Sequence, residues 1–270
     1  MPELPEVETV RRTLKNFVLD REITAITVHW PRIVEDDPDL FKQALLHQHI
    51  RDIDRVGKYL IFVLDDTAFV SHLRMEGKYN IVPSKSPLTR HDHVIFRLDD
   101  GRDLRYNDTR KFGRMVLVDH DNYRHEQPLT KLGPEPFEAT LDEVYPAFKK
   151  SKRYVKSILL DQSVMCGLGN IYANEVMFVM GMHPKTRGKD VSKKRVQGLI
   201  DASKAILSEA ITQGGTTIHS FDANGIHGLF QVKLHVHGQK TCKACGSEIK
   251  KIVVDGRSSY YCPVCQKRRY

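Results

Sequence analysis

CKACGSEIKKIVVDGRSSYYCPVC, residues 242–265, holds four of the five cysteines of the chain and decides its C-terminal architecture. Two Cys-x-x-Cys pairs, Cys242/Cys245 and Cys262/Cys265, stand sixteen residues apart. That spacing fits four thiolates around one tetrahedral Zn²⁺. A closed set of four leaves no open coordination position, so one structural zinc per chain is expected. Two dithiols or disulfides are the alternative reading. Disulfides suit an oxidising compartment, and the N-terminus MPELPEVETV lacks the basic region and apolar stretch of a secretory signal. Between the pairs, Ile249–Val254 and Ser258–Cys262 have strand character and flank Asp255-Gly256, a dipeptide that favours a tight hairpin. The stretch predicts a zinc-stapled β-ribbon within 235–270, with Arg257 at or beside its tip. No helix lies between the cysteine pairs, which separates this ribbon from the groove-reading ββα finger. Cys166, the fifth cysteine, lies in an apolar stretch and reads as a small buried hydrophobe.

Charge gathers around the same stretch. From Lys233 to Tyr270 there are nine Lys/Arg and two acids, and from Lys149 to Leu160 five Lys/Arg and no acid. The whole chain carries +8 over 270 residues, so the remainder is net negative. Two basic patches on a slightly acidic body point to a polyanion partner, with a plain solvated surface as the alternative. Four thiolates with Zn²⁺ carry about −2, which leaves the ribbon basic. Hydrophobic residues make up 40%, enough for a packed core. No apolar run reaches the ~18 residues of a membrane span. A cytoplasmic monomer with no membrane partner is expected.

Moving towards the N-terminus, hydrophobic spacing is helical over roughly 141–149, 154–162, 171–180 and 192–213. Ser192 is the candidate N-cap of the last helix and Gly214-Gly215 its stop. A polar loop follows at 214–228. Residues 150–228 form the expected helical domain, and 132–149, opening on Leu132-Gly-Pro-Glu-Pro136, form a linker and connecting helix. The first 131 residues read differently. Residues 5–17 form an amphipathic helix with Pro5 at its start and Val7, Val10, Leu14 and Phe17 on one face. Short β-like runs follow at Ile23–Trp30, Tyr59–Leu64, Ala68–Leu73, Tyr79–Val82, Val94–Leu98, Asp103–Tyr106 and Met115–Val118. The fold class is therefore α+β and multidomain: an N-terminal helix with an antiparallel β-sandwich over 2–131, a helical domain, and the ribbon.

Six separated segments then coincide in order: MPELPEVE at the start, SHLRMEGKY at 71–79, TRKFGRM at 109–115, LGPEPF at 132–137, GLGNIYANE at 167–175, and the four-Cys ribbon. Together they resemble the bacterial formamidopyrimidine-DNA glycosylase family along nearly the whole chain. The resemblance implies a helix–two-turn–helix domain at 150–228 and duplex DNA between two halves. It also implies excision of oxidised purines such as 8-oxoguanine and formamidopyrimidines, with strand nicking by β- and δ-elimination.

It implies roles for individual residues as well. Pro2, freed of Met1, presents a secondary amine that can attack the sugar C1′ and form an iminium link. While Met1 is attached, that nitrogen is an amide. Glu3 is implied in proton transfer at the sugar, and Glu6, one turn on, orients the site or merely favours the helix start. Lys58 and Arg257 join the catalytic set through the phosphates. His91, Arg110, Lys156 and Asn170 contact DNA, with Asn170 at a helix N-terminus suited to phosphate. Met75, Arg110 and Phe112 fill the void left by a flipped base, Arg110 pairing with the orphaned cytosine.

Two places depart from the family pattern. Ile218-His219-Ser220-Phe221 replaces a segment that usually holds an Arg, and Val236-His237-Gly238-Gln239 replaces a usual Val-Tyr-Gly-Arg or -Lys. Two other readings share part of the pattern: a sister branch acting on oxidised pyrimidines, and an inactive zinc-ribbon DNA-binding protein. Leu4 and the void-filling trio favour the purine branch, and intact Pro2, Glu3 and Lys58 argue for an enzyme.

Overall fold

A computed structural model describes residues 1–215 and 234–267. They form two compact units, with the boundary between Thr130 and Lys131.

The first unit opens with helix α1 (Leu4–Val18). Pro5 sits in its first turn, where a missing N–H costs nothing, and Val7, Val10, Leu14 and Val18 are fully buried. Two four-stranded antiparallel sheets follow. One has the order β1 (Ile23–Val28), β6 (Asp92–Leu98), β7 (Arg102–Asn107), β5 (Lys78–Pro83); the other has the order β2 (Asp52–Val56), β3 (Tyr59–Val63), β4 (Thr67–His72), β8 (Arg114–Asp119). Phe69 of β4 stacks on Phe62 of its own sheet at 4.6 Å and on Phe96 of the other sheet at 5.5 Å. Phe41, from helix α2 (Pro38–Leu45), closes on Phe69 edge-on at 5.6 Å. Each such ring pair contributes about 0.5–1.5 kcal/mol beyond its area burial.

The seven expected strands are present. Two elements went unread. β2, DIDRV, has one fully buried side chain, Ile53, among polar neighbours, so it shows too little apolar alternation. α2 starts from Asp37, whose carboxylate accepts the N–H groups of Asp39 and Leu40 at 2.9 and 3.1 Å. That cap precedes a helix of only eight residues.

In the second unit the expected helices are α3 (Leu141–Val144), α4 (Val155–Leu159), α5 (Asn170–Val179) and α6 (Lys193–Thr212). The 141–149 and 154–162 segments are shorter than the spacing predicts. Pro146 breaks the first, which continues as a single 3-10 turn over Tyr145–Ala147. Ser192 caps α6 by accepting the Arg195 N–H at 3.4 Å. The ribbon strands β9 (Lys250–Val254) and β10 (Arg257–Tyr261) pair with Arg257 opposite Val254. The two linking residues, Asp255 and Gly256, have φ of 44° and 74°, as a two-residue hairpin of this hand requires. Among the described residues no helix is long and apolar enough to cross a membrane.

Candidate active site and zinc ribbon

The N-terminus of α1 carries the first candidate group. Pro2 is half-buried, while Glu3 and Glu6 are only 2% and 3% exposed. The Glu6 carboxylate accepts the Glu3 backbone N–H at 2.8 Å. Glu6 therefore fixes the chain direction at the residue that follows Pro2. With Met1 attached the Pro2 nitrogen is an amide.

One turn on, Glu8 ties this helix to the hairpin that bears Lys58. Its buried carboxylate accepts from Arg11 at 2.8 and 2.9 Å, Arg12 at 2.7 Å and Arg55 at 3.0 Å. Burial alone would raise its pKa, but the hydrogen bonds from Arg11, Arg55 and Arg12 prevail and hold it at about 2. Arg55 also donates to the Gly57 carbonyl at 3.1 Å. Gly57 and Lys58 form the two-residue tip between β2 and β3, and Gly57 takes φ of 57°. Lys58 is 5% exposed at that tip. Nearby His72 is pushed down to about 3 by burial and by the charges of Arg74 and Lys58. It is neutral, and its Nδ1 accepts the Arg74 N–H at 2.9 Å. Sequence reasoning missed Glu8 and Arg55, which lie 47 positions apart and read singly as surface charges.

Met75 is half-buried in the turn between β4 and β5, while Arg110 and Phe112 are exposed between β7 and β8. The Arg110 guanidinium lies 4.7 Å from the Phe112 ring centre. His91 is half-buried, receives Arg90 Nε–H on Nε2 at 3.0 Å, and has a buried Nδ1 without a hydrogen-bond partner among the described residues.

The second unit holds Lys156, which the family resemblance places among the DNA contacts, at the damaged nucleotide. It is fully buried, and its ammonium donates to the Ser258 carbonyl at 2.6 Å and the Ser259 hydroxyl at 2.7 Å. It joins α4 to the ribbon. The helical phase explains this: Lys156 follows Val155 on the face that also buries Ile158 and Leu159. Asn170 opens α5, and its Oδ1 is buried without a partner among the described residues. Arg257 is exposed as the first residue of β10. Ser157 donates its hydroxyl to the Asp255 carboxylate beside that tip.

The four cysteines meet the requirements of one metal ion. Their Sγ atoms all lie within 4.8 Å of one another, with Cys242–Cys265 at 3.9 Å and Cys245–Cys262 at 3.4 Å. Zn–S bonds of about 2.3 Å in a tetrahedron place sulfurs about 3.8 Å apart, close to both values. Gln266 braces the second pair: its side chain accepts the Cys262 N–H at 2.9 Å and donates to the Met182 carbonyl at 2.7 Å. Thiolates fill all four positions, so this is a structural zinc site.

Three domain models match in series: the formamidopyrimidine-DNA glycosylase N-terminal domain over residues 1–115, the H2TH domain of the same glycosylase over 132–222, and the zinc finger found in FPG and IleRS over 239–268. The formamidopyrimidine-DNA glycosylase of Bacillus licheniformis is 47% identical, across 99% of this chain and 100% of the relative. The chain belongs to the formamidopyrimidine-DNA glycosylase family. The Bacillus subtilis enzyme of that name is 44% identical over the full length of both chains. Among solved structures, Lactococcus lactis Fpg bound to DNA containing N7-benzyl-Fapy-dG matches with a TM-score of 0.93 at 38% identity, covering 99% of this chain and 100% of that one. The same enzyme bound to abasic-site DNA matches equally well, with a TM-score of 0.93 and 38% identity.

The departures within this glycosylase fall on two segments. His219 and residues 216–228 of the expected polar loop lie outside the described residues. His237 is described: its Nδ1 meets the Asn174 side-chain amide at 2.8 Å, and its ring tilts against Tyr260 at 4.9 Å. The buried Glu175 carboxylate accepts the backbone N–H groups of His235, Val236 and His237 at 2.7, 3.1 and 2.8 Å, which fixes this approach to the ribbon.

Proposed function

We propose that this DNA glycosylase removes oxidised purines, 8-oxoguanine and formamidopyrimidines, from duplex DNA and nicks the strand through an intermediate on Pro2. The observation that carries the reading is the start of α1: a buried Glu3, with its N–H held by Glu6, directly follows Pro2. Once Met1 is removed, the neutral Pro2 amine attacks C1′ of the damaged nucleotide. The N–C1′ bond forms as the glycosidic bond breaks, and the base departs with the bonding pair and a proton. The Pro2 nitrogen gives up its proton, and its lone pair then opens the sugar ring, breaking C1′–O4′ as O4′ takes a proton. The resulting iminium acidifies the C2′ proton, whose loss expels the 3′ phosphate; a second elimination expels the 5′ phosphate. Glu3 is the carboxyl group for proton transfer at the sugar. Glu6 is a positioning residue.

Lys58 and Arg257 supply positive charge to phosphates, Asn170 adds its amide at the start of α5, and His91 is assigned to the DNA-facing set. Met75, Arg110 and Phe112 enter the duplex where the base has left, and Arg110 pairs with the opposite cytosine. Lys156 acts through the ribbon rather than at the damaged nucleotide, in keeping with its buried ammonium. The zinc holds the ribbon and takes no part in bond breaking. The enzyme acts as a monomer in the bacterial cytoplasm. Binding of DNA with a Fapy-dG analogue by the Lactococcus relative supports the purine reading.

Cleavage of an 8-oxoguanine:cytosine duplex is compared with that of a thymine-glycol duplex. The purine substrate is expected to be the better one. A preference for thymine glycol would place the enzyme in the pyrimidine branch.

A further inference from the structure

We infer that Asp108 and Tyr106 are positioning residues that lock the Met75 turn and the Arg110–Phe112 loop into one arrangement before DNA arrives. The inference rests on the void-filling role proposed for those loops.

Asp108 is fully buried, yet it directly follows β7 at the start of an exposed loop. Its Oδ1 accepts the Arg110 N–H at 2.9 Å. Its Oδ2 accepts the N–H groups of Phe112 at 2.8 Å and Gly113 at 2.9 Å. One carboxylate thus gathers three backbone donors from the residues that present Arg110 and Phe112, a nest suited to negative charge. The main chain of Asp108 is held as well. Its N–H donates to the His91 carbonyl at 3.0 Å, and its carbonyl accepts from His93 Nε2 at 2.8 Å. The loop turns at Lys111, where φ is 59° and the ammonium lies 3.9 Å from the Trp30 ring centre. Non-glycine residues adopt that conformation uncommonly, and the Asp108 hydrogen bonds on either side favour it here.

Tyr106 connects this loop to the other. Its side chain is fully buried, and its hydroxyl lies 3.5 Å from Asp108 Oδ2. Burial and the Asp108 charge push its pKa up, so the hydroxyl stays protonated and donates. The same hydroxyl fits against two glycines. A Cβ added to Gly113 would lie 1.7 Å from it, and one added to Gly77 would lie 2.2 Å from it. Gly77 closes the Met75 turn, with its N–H on the Leu73 carbonyl at 3.0 Å. Both loops therefore rest on one hydroxyl, and neither glycine can accept a side chain while it stays there. Tyr79 packs edge-on to Tyr106 at 5.3 Å and donates to Ser71 at 2.8 Å, which limits sideways movement. Fixing the loops beforehand removes their ordering cost from the insertion step.

Asp108→Asn tests this, because an amide nitrogen at either oxygen position faces N–H groups rather than accepting them. Three readings are taken on zinc-loaded, full-length protein: excision of 8-oxoguanine opposite cytosine, the ratio of excision opposite cytosine to that opposite adenine, and strand nicking of a single-stranded abasic oligonucleotide. The last needs Pro2 but no orphan base. Excision from the duplex is expected to fall about 10- to 100-fold and the cytosine preference to shrink, while single-strand nicking stays within about threefold. Tyr106→Phe is expected to move the same readings in the same direction by about 2- to 5-fold, and it decides the matter if Asp108→Asn does not fold. Equal loss of all activities in a folded variant would show a general structural role and overturn the proposal. An unchanged cytosine preference in folded Asp108→Asn, or in Tyr106→Phe where the first variant is unfolded, would also overturn it. Arg110→Ala separates this from failure of the void-filling reading. If Arg110→Ala keeps the full cytosine preference, that reading fails, whatever Asp108→Asn does.

Discussion

Phe62, Phe69 and Phe96 stack through the middle of the N-terminal sandwich, within a core that also takes in Val7, Val10 and Leu14 of α1. The ribbon has no such interior. Its buried cluster is Val236, Cys242, Ile249 and Cys262, two of them metal ligands. A buried aromatic or aliphatic side chain contributes about 1.5–3 kcal/mol, so the sandwich can be ordered by apolar burial alone. The ribbon cannot be, and a structural zinc with apparent binding of about 10–16 kcal/mol fills the gap. One chain thus uses two sources of order, each matched to its task. The end of α1 that follows Pro2 and Glu3 stands on a metal-independent core. The ribbon carries Arg257 on a hairpin that depends on the ion and on three tethers, from Lys156, Gln266 and Glu175.

The largest effect should come from breaking the metal set. Cys245→Ser is expected to leave less than one zinc per chain, unfold the ribbon and abolish tight DNA binding. The sandwich should keep its own melting transition, followed by near-UV circular dichroism of its aromatic core. A single transition in which both units melt together would erase the distinction between them.

A smaller effect is expected at Glu8, inside the metal-independent unit. Its folded pKa of about 2 lies below the ordinary 4.5, so its contribution is fully present above pH 4.5 and is lost as pH falls towards 2. Between pH 4.5 and 3 the wild type should lose about 2 kcal/mol that Glu8→Gln does not. The stability difference between the two proteins should narrow over that window. Urea titrations of both at several pH values measure it, and a difference independent of pH would remove Glu8 from the account.

At the ribbon tip, Arg257→Ala should weaken binding of a lesion duplex by about 1.5–3 kcal/mol with zinc content unchanged, if its guanidinium makes a charge-assisted phosphate bond. Equal affinities at low salt would refute that contact. His237 should give the smallest effect. Burial, followed by the charges of Lys156 and Lys251, holds it down at about 4, so it is neutral between pH 6 and 8. Its imidazole NMR signals should not titrate over that range. A midpoint near the ordinary ~6.5 would contradict the packing described for it.

Much of this is legible in the sequence alone. Cysteine spacing and Asp255-Gly256 specify the ribbon, because metal geometry and hairpin geometry are local. Alternation specifies most strands, and Pro5 with Val7, Val10 and Leu14 specifies α1. What escaped depends on contacts between distant positions. Lys156 sits in a basic run that reads as a surface patch, and only the helical phase of α4 turns it inward to Ser259. Asp108 reads as an ordinary turn residue until its three backbone donors are seen. Glu8 and Arg55 carry no local sign of each other. Sequence names candidate reacting groups where short motifs carry them. It hides the groups that hold them still.

The claim on which the rest depends is that the Pro2 amine is the nucleophile. Borohydride reduction during cleavage of an 8-oxoguanine:cytosine duplex, followed by peptide mapping, tests it most directly. One covalent protein–DNA adduct is expected, located at Pro2 and formed only by protein that has lost Met1. An adduct mapped to a lysine, or equal trapping by protein that retains Met1, would contradict it.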